Sequence, residues 1–152
     1  MIKIIDGDLF DTDAAVICHQ VNCQGVMGSG VALQVKQKYP DVFAAYKDYC
    51  IINKGNLLGN VLSVVCREGT ESLTVCNLFA QDKFGYDGNC YTSYDALKNC
   101  FCIVENTFPD NISIALPYLM GCRRGGGDWN VVYEMIKTIF LQRDVLIYKQ
   151  EE

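Results

Sequence analysis

Apolar positions in this chain come in two rhythms that alternate from end to end. Residues 2–6 form a short apolar run closed by Asp6-Gly7-Asp8, which predicts an opening strand and a turn. Residues 14–21 are apolar up to Cys18-His19-Gln20, as in a strand covered on both faces. The stretch Asn22-Cys23-Gln24-Gly25-Val26-Met27-Gly28-Ser29-Gly30 then leads into a helix over 31–39. Pro40 ends that helix, and Asp41 opens a second one reaching Cys50. After a turn at 56–59, strands are expected over 60–67 and 72–80, joined by Glu68-Gly69-Thr70-Glu71. A polar loop fills 81–90. Residues 92–108 read as a helix, with Thr92 or Ser93 placed to cap it and Asp95 in its first turn. A strand over 111–116 ends at Pro117. The loop Gly121-Cys122-Arg123-Arg124-Gly125-Gly126-Gly127-Asp128 precedes a helix over 129–142, where Val132, Met135, Ile136, Ile139 and Phe140 recur at helical spacing. Residues 145–148 form a last strand.

Strands alternating with helices predict an α/β fold with a mostly parallel, buried sheet. The 152 residues suit one domain, with no internal repeat or linker to divide 1–152. The net charge of −5 disfavours non-specific nucleic-acid binding, which needs Lys and Arg opposite phosphates. It leaves room for a small anionic ligand held by backbone N–H groups. No run reaches the roughly 18 apolar residues of a membrane helix, and the N-terminus shows no signal-peptide pattern. Nine cysteines, an odd number, read as free thiols in a reducing, cytoplasmic setting. With one His and no C-x-x-C pair, no metal site and no cofactor are expected.

The two glycine loops carry the candidate chemistry. Each follows a buried strand and precedes a helix. Ligands of open α/β sheets bind at the carboxyl ends of strands, and helix N-termini offer unpaired N–H groups with partial positive charge. Two such loops are suited to grip a diphosphate from both sides; otherwise they are tight strand-to-helix turns. Neither loop is a P-loop or a G-x-G-x-x-G fingerprint.

Taken together these segments resemble the macrodomain family. The resemblance rests on Gly7-Asp8-Leu9, on His19-Gln20-Val21-Asn22-Cys23-Gln24-Gly25 followed by Met27-Gly28-Ser29-Gly30-Val31-Ala32, and on Pro117 with Gly121-Cys122 and Gly127-Asp128-Trp129. It covers residues 2 to about 148. The first loop and Asn56-Leu57-Leu58-Gly59 are most similar to the branch that includes terminal ADP-ribose protein glycohydrolase and the yeast ADP-ribose-1''-phosphate phosphatase. The resemblance implies a three-layer α/β/α fold with a mixed, mostly parallel central sheet. It implies ADP-ribose as ligand and hydrolysis of an ADP-ribose derivative, or, as the alternative, a non-catalytic ADP-ribose reader.

The implied roles follow the loops. Asp8 accepts a hydrogen bond from adenine, unless it caps its own turn. Leu9 and Tyr148 border the adenine, unless Tyr148 only ends the last strand. Asn22, Gly28, Ser29 and Gly30 surround the distal ribose and one phosphate, and Gln20 and Val31 also bind the substrate. The run Gly121, Cys122, Arg123, Arg124, Gly125, Gly126 and Gly127 wraps the diphosphate through backbone N–H groups, and Pro117 also binds the substrate. The two arginines clamp a terminal phosphate or are simply solvated.

The catalytic candidates are Asn22, His19 and Asp128. His19 is either a satisfied structural histidine or a group that orients water. Asp128 is either an N-cap or a carboxylate that polarises water. Gln81 stands where the protein glycohydrolase carries its lysine, Gly125 stands where it carries an aspartate, and Lys83 is out of register. A lysine-linked mechanism is therefore disfavoured. The expected chain is a monomer whose partner is ADP-ribose or an ADP-ribosylated molecule. ADP-ribose-1''-phosphate, O-acetyl-ADP-ribose and ADP-ribosylated protein or nucleic acid are the candidate substrates.

Overall fold

The computed structural model describes residues 1–85 and 87–150. Residue 86, inside the loop expected over 81–90, lies outside the described residues. The elements follow the order β1 (Ile2–Asp6), a 3-10 turn (Leu9–Asp11), β2 (Val16–Val21), α1 (Gly30–Lys38), α2 (Pro40–Ile52), β3 (Val61–Arg67), β4 (Leu73–Phe79), α3 (Tyr94–Thr107), β5 (Ile114–Pro117), α4 (Trp129–Ile139) and β6 (Val145–Lys149). The strands form one sheet in the order β1-β6-β5-β2-β4-β3. All neighbours are parallel except β3, which pairs antiparallel with β4. The sheet is thus mixed and mostly parallel, as expected. The antiparallel pair is the hairpin through residues 68–71, which needs no crossover helix.

Alternation along β2 divides the helices between two faces. Val16 and Cys18 face one cluster with Leu97 and Phe101 of α3 and Val132 and Ile136 of α4. Val21 faces the other, with Val35 of α1 and Val42 and Tyr46 of α2. Strands with both faces covered are mostly apolar, and β2 and β4 accordingly lack the alternating exposure seen in edge strand β3. The result is three layers. Among the described residues no helix is long and apolar enough to cross a membrane, and no group of three His, Cys, Asp or Glu side chains is placed to hold a metal.

The two largest shifts of expected ends, three residues each, have one side chain in common. Helix α4 stops at Ile139 instead of 142, and β5 starts at Ile114 instead of 111. Between them lies Arg143, fully buried. Its guanidinium donates to the carbonyls of Pro109, Ile112, Phe108 and Glu105 and to the Glu105 carboxylate at 3.0 Å. The chain leaves α4 early to bring this arginine under the end of α3, and residues 109–113 turn so that their carbonyls meet it. The Glu105 and Phe108 carbonyls lie at the C-terminus of α3, where a cation is favoured. At the other end of α3, Ser93 is the cap, its Oγ accepting from Ala96 N, and Thr92 is freed for another use.

Candidate functional site

The parallel strands β2, β4, β5 and β6 end on one side of the sheet, and a cavity of about 540 Å³ lies just beyond them. Its wall takes His19 and Asn22 from the end of β2, Gln81 from beyond β4, Pro117 and Leu119 from the end of β5, and Tyr148 from β6. This is where open α/β sheets place ligands. Both glycine loops reach it. The first supplies Gly28, Ser29, Gly30 and Val31, the second Gly121, Arg123, Arg124 and Gly125. Leu9 and Gln20 are also part of the wall. Asp8, Cys122, Gly126, Gly127 and Asp128 are not.

The first loop is held by its own polar groups. Asn22 Nδ2 donates to Val26 O at 2.9 Å, and Asn22 Oδ1 accepts from Gln24 N at 2.9 Å and from Tyr46 OH at 2.8 Å. The Tyr46 hydroxyl also reaches Asn22 O at 2.7 Å. Burial raises the Tyr46 phenol well above its usual range, so it stays a donor. Ser29 occupies the N-cap of α1, yet its side chain makes no capping bond. The first amides of a helix have no intrahelical acceptor, so the first turn of α1 borders the cavity with N–H groups that its cap residue does not satisfy.

The second loop is closed across its base. Gly127 N donates to Gly121 O at 2.9 Å, and Tyr91 N and Thr92 N both donate to Gly125 O. The Thr92 hydroxyl donates to Gly121 O at 2.7 Å. Gln20 Nε2 donates to Thr92 Oγ1 at 2.9 Å and to Gln81 Oε1 at 2.8 Å, and Gln81 Nε2 donates to Lys83 O at 2.9 Å. The end of β2 and the second loop are therefore tied together through Gln20 and Thr92. Gly121 has φ +76°, and a Cβ there would lie 2.8 Å from Gln20 Oε1. Leu119, at φ 63°, is the one non-glycine with positive φ among the described residues. It belongs to the cavity wall, where such backbone is often concentrated.

The remaining candidates sort by position. Asp8 caps the 3-10 turn, its Oδ1 accepting from Phe10 N at 2.9 Å, and so sets Leu9 in the wall. Tyr148 OH donates to Thr12 Oγ1 at 2.9 Å. Asp128 is the N-cap of α4, its Oδ1 accepting from Asn130 N at 2.9 Å, while its N donates to Tyr94 OH. Cys122 Sγ bonds Met120 O, and burial and then the nearby Asp128 push its thiol up to about 11, away from a reactive thiolate. His19 is 1% exposed, its Nε2 lies 2.6 Å from Asn77 Oδ1, and burial takes its imidazole down to about 4. The ring is neutral at physiological pH. Tyr46, Asn77 and Thr92 support the site and carry no loop motif. The one sequence signal for Asn77 is an amide inside the otherwise apolar run of β4.

Fold and cavity define a three-layer α/β/α domain with one cleft framed by two glycine loops at parallel strand ends. No family model matches the sequence. The chain is 32% identical, over 97% of its length, to a protein named DNA ADP-ribosyl glycohydrolase of Mycobacterium tuberculosis, and spans 42% of that protein. It is 38% identical over 80 residues to an ADP-ribose 1''-phosphate phosphatase of Aspergillus clavatus, a match covering 43% of this chain and 40% of that one. Its structure aligns with the macrodomain of Mycobacterium tuberculosis DarG at a TM-score of 0.82, with 28% identity and 97% of both chains covered. The chain has the macrodomain fold of that structure. It spans less than half the length of the curated relatives it matches.

Proposed function

We propose that this macrodomain binds ADP-ribose in the cavity and hydrolyses a derivative of it at the distal ribose. The observation that carries the reading is the convergence of two glycine loops on one cavity of about 540 Å³. That volume falls within the roughly 300–1,000 Å³ of small-molecule sites. In this reading the first turn of α1 and the second glycine loop hold the diphosphate through N–H groups, which the chain's acidic charge does not oppose. Leu9 and Tyr148 border the adenine, with Asp8 as acceptor for its amine. His19, Gln20 and Asn22 face the distal ribose. Asp128 acts from behind the second loop by holding the start of α4. The relatives' names, DNA ADP-ribosyl glycohydrolase and ADP-ribose 1''-phosphate phosphatase, support ADP-ribose chemistry in general.

The bond that breaks is attacked by water. A lysine nucleophile has no place here, because Gln81 is neutral and both ends of its amide are engaged, while Gly125 offers no carboxylate. The loop amides stabilise charge that develops on the leaving oxygen. The same missing pair favours a second reading, an ADP-ribose reader without turnover. Calorimetry with ADP-ribose, paired with product assays on ADP-ribose 1''-phosphate, O-acetyl-ADP-ribose, ADP-ribosylated protein and ADP-ribosylated oligonucleotide, decides between them. Saturable binding with turnover of any one supports the hydrolase. Binding without product supports the reader, and no binding overturns both.

A further inference from the structure

We propose that Asn77 is a positioning residue that fixes the tautomer of His19, so that Nδ1 of a neutral ring stands in the cavity wall as an acceptor for an O–H group. The argument starts from β3. Leu62 and Asn77 are paired in the β3–β4 ladder, and Asn77 Nδ2 donates to Leu62 O at 3.0 Å. A carbonyl only accepts, so this bond settles which way the Asn77 amide faces. Its Oδ1 must then point at His19, which sits opposite Asn77 in the β2–β4 ladder. At 2.6 Å from that oxygen, His19 Nε2 has to carry the proton. A neutral imidazole has one N–H and one bare nitrogen, so Nδ1 is the bare one.

Nδ1 is buried and has no hydrogen-bond partner among the described residues. Leaving such an acceptor unsatisfied costs free energy, and native proteins rarely do so without a reason. Its residue belongs to the wall of the cavity that the glycine loops frame. The partner that satisfies it is an O–H, supplied either by a bound water or by a ribose hydroxyl of the ligand. The ribose source rests on the ADP-ribose reading above, whereas the tautomer does not. Ring charge is set by burial and by the Asn77 bond, with no charged side chain contributing.

His19 is the single histidine, so long-range ¹H–¹⁵N NMR of the full chain reports one imidazole. The expected spectrum of the free protein has Nε2 protonated, Nδ1 bare, and no titration between about pH 8 and pH 5. A proton on Nδ1, or a ring that charges within that window, overturns the proposal. ADP-ribose is then added, with occupancy checked by calorimetry. A move of the Nδ1 resonance to its hydrogen-bonded position identifies a ribose hydroxyl as donor. A hydrogen-bonded position already present in the free protein and unchanged identifies water. An Nδ1 that shows no hydrogen bond in either state overturns the acceptor role. If ADP-ribose does not bind, the functional reading fails while the free-protein spectrum still decides the tautomer. Asn77→Asp keeps an acceptor on Nε2 but adds a negative charge, which moves ring protonation up by about 1 to 3 pH units. ADP-ribose affinity in this variant is expected to fall as the pH drops through that raised value, with wild type flat. An equal loss of affinity at every pH marks Asn77 as merely structural and overturns its positioning role.

Discussion

Arg143 offers the sharpest test of how stability and ligand binding are divided in this fold. It precedes β6, so it sits at the end of the sheet opposite the cavity, and five hydrogen bonds run from its guanidinium to Glu105, Phe108, Pro109 and Ile112. Arg143→Met keeps the aliphatic bulk and removes every donor. Hydrogen bonds to a charged group contribute about 1.5–3 kcal/mol each. Four stranded carbonyls summed at that rate, about 6–12 kcal/mol, would rival the whole stability of an ordinary domain, about 5–15 kcal/mol. The chain relaxes instead, and water reaches the site past exposed Asp110, whose Oδ1 is 3.9 Å from the guanidinium. The realistic loss is that of breaking a buried pair, about 3–5 kcal/mol. At about 2–4 °C per kcal/mol for a chain of this size, the melting temperature falls by roughly 6–20 °C. Glu105→Gln, which leaves the carbonyl bonds in place, is expected to cost only about 1 kcal/mol. Urea titration gives both values, and calorimetry below the transition gives ADP-ribose affinity, expected to be unchanged in both variants. A loss under about 1 kcal/mol in Arg143→Met would refute the carbonyl cluster as a structural keystone. A tenfold weaker affinity in the folded variant would refute the independence of the two ends.

Three further outcomes are expected. Gly121→Ala forces a non-glycine residue to φ +76° and sets a methyl 2.8 Å from Gln20 Oε1; it is expected to destabilise by about 1–2 kcal/mol from the backbone alone and to weaken ADP-ribose binding, measured by melting and calorimetry. Asn22→Ala releases the first loop from Tyr46 and Val26, whereas Asp8→Ala loosens a 3-10 turn and removes an acceptor at the adenine end, away from the distal ribose; the former is expected to lower turnover of the accepted substrate more than the latter in a product assay. The unfolded chain protonates its histidine near 6.5, while burial holds folded His19 near 4. The unfolded state therefore binds more protons between those values, and stability falls as pH drops through that window, by on the order of 3 kcal/mol. His19→Gln is expected to remove this share of the pH dependence in urea titrations run from pH 7 to pH 4.

Much of the fold could be read along the chain because its signals are local. An apolar run between Asp13 and Asn22 predicts β2 whatever packs on it, and the spacing of Val132 and Ile136 predicts α4. Both glycine loops were readable for the same reason, and the wall of the cavity takes residues from each. What escaped the sequence depends on partners far away in the chain. The stop of α4 at Ile139 is dictated by where Arg143 must reach, 31 to 38 residues back. Asn77 meets His19 across 58 residues, and Gln20 meets Thr92 across 72. Thr92 and Ser93 look alike as caps, and only the contact with Gly121 O shows why Ser93 takes that part. Asp8 and Asp128 are both seen capping, and neither lies in the cavity wall.

The tie from Gln81 through Gln20 and Thr92 to Gly121 has a consequence for how a nucleotide enters. The strand ends and the second loop are cross-braced before any guest arrives. Association then need not freeze a floppy rim, so little ordering entropy is lost on docking. Recognition is by template: a guest of the right outline slots in, and one that demands a wider gap has to break the brace first.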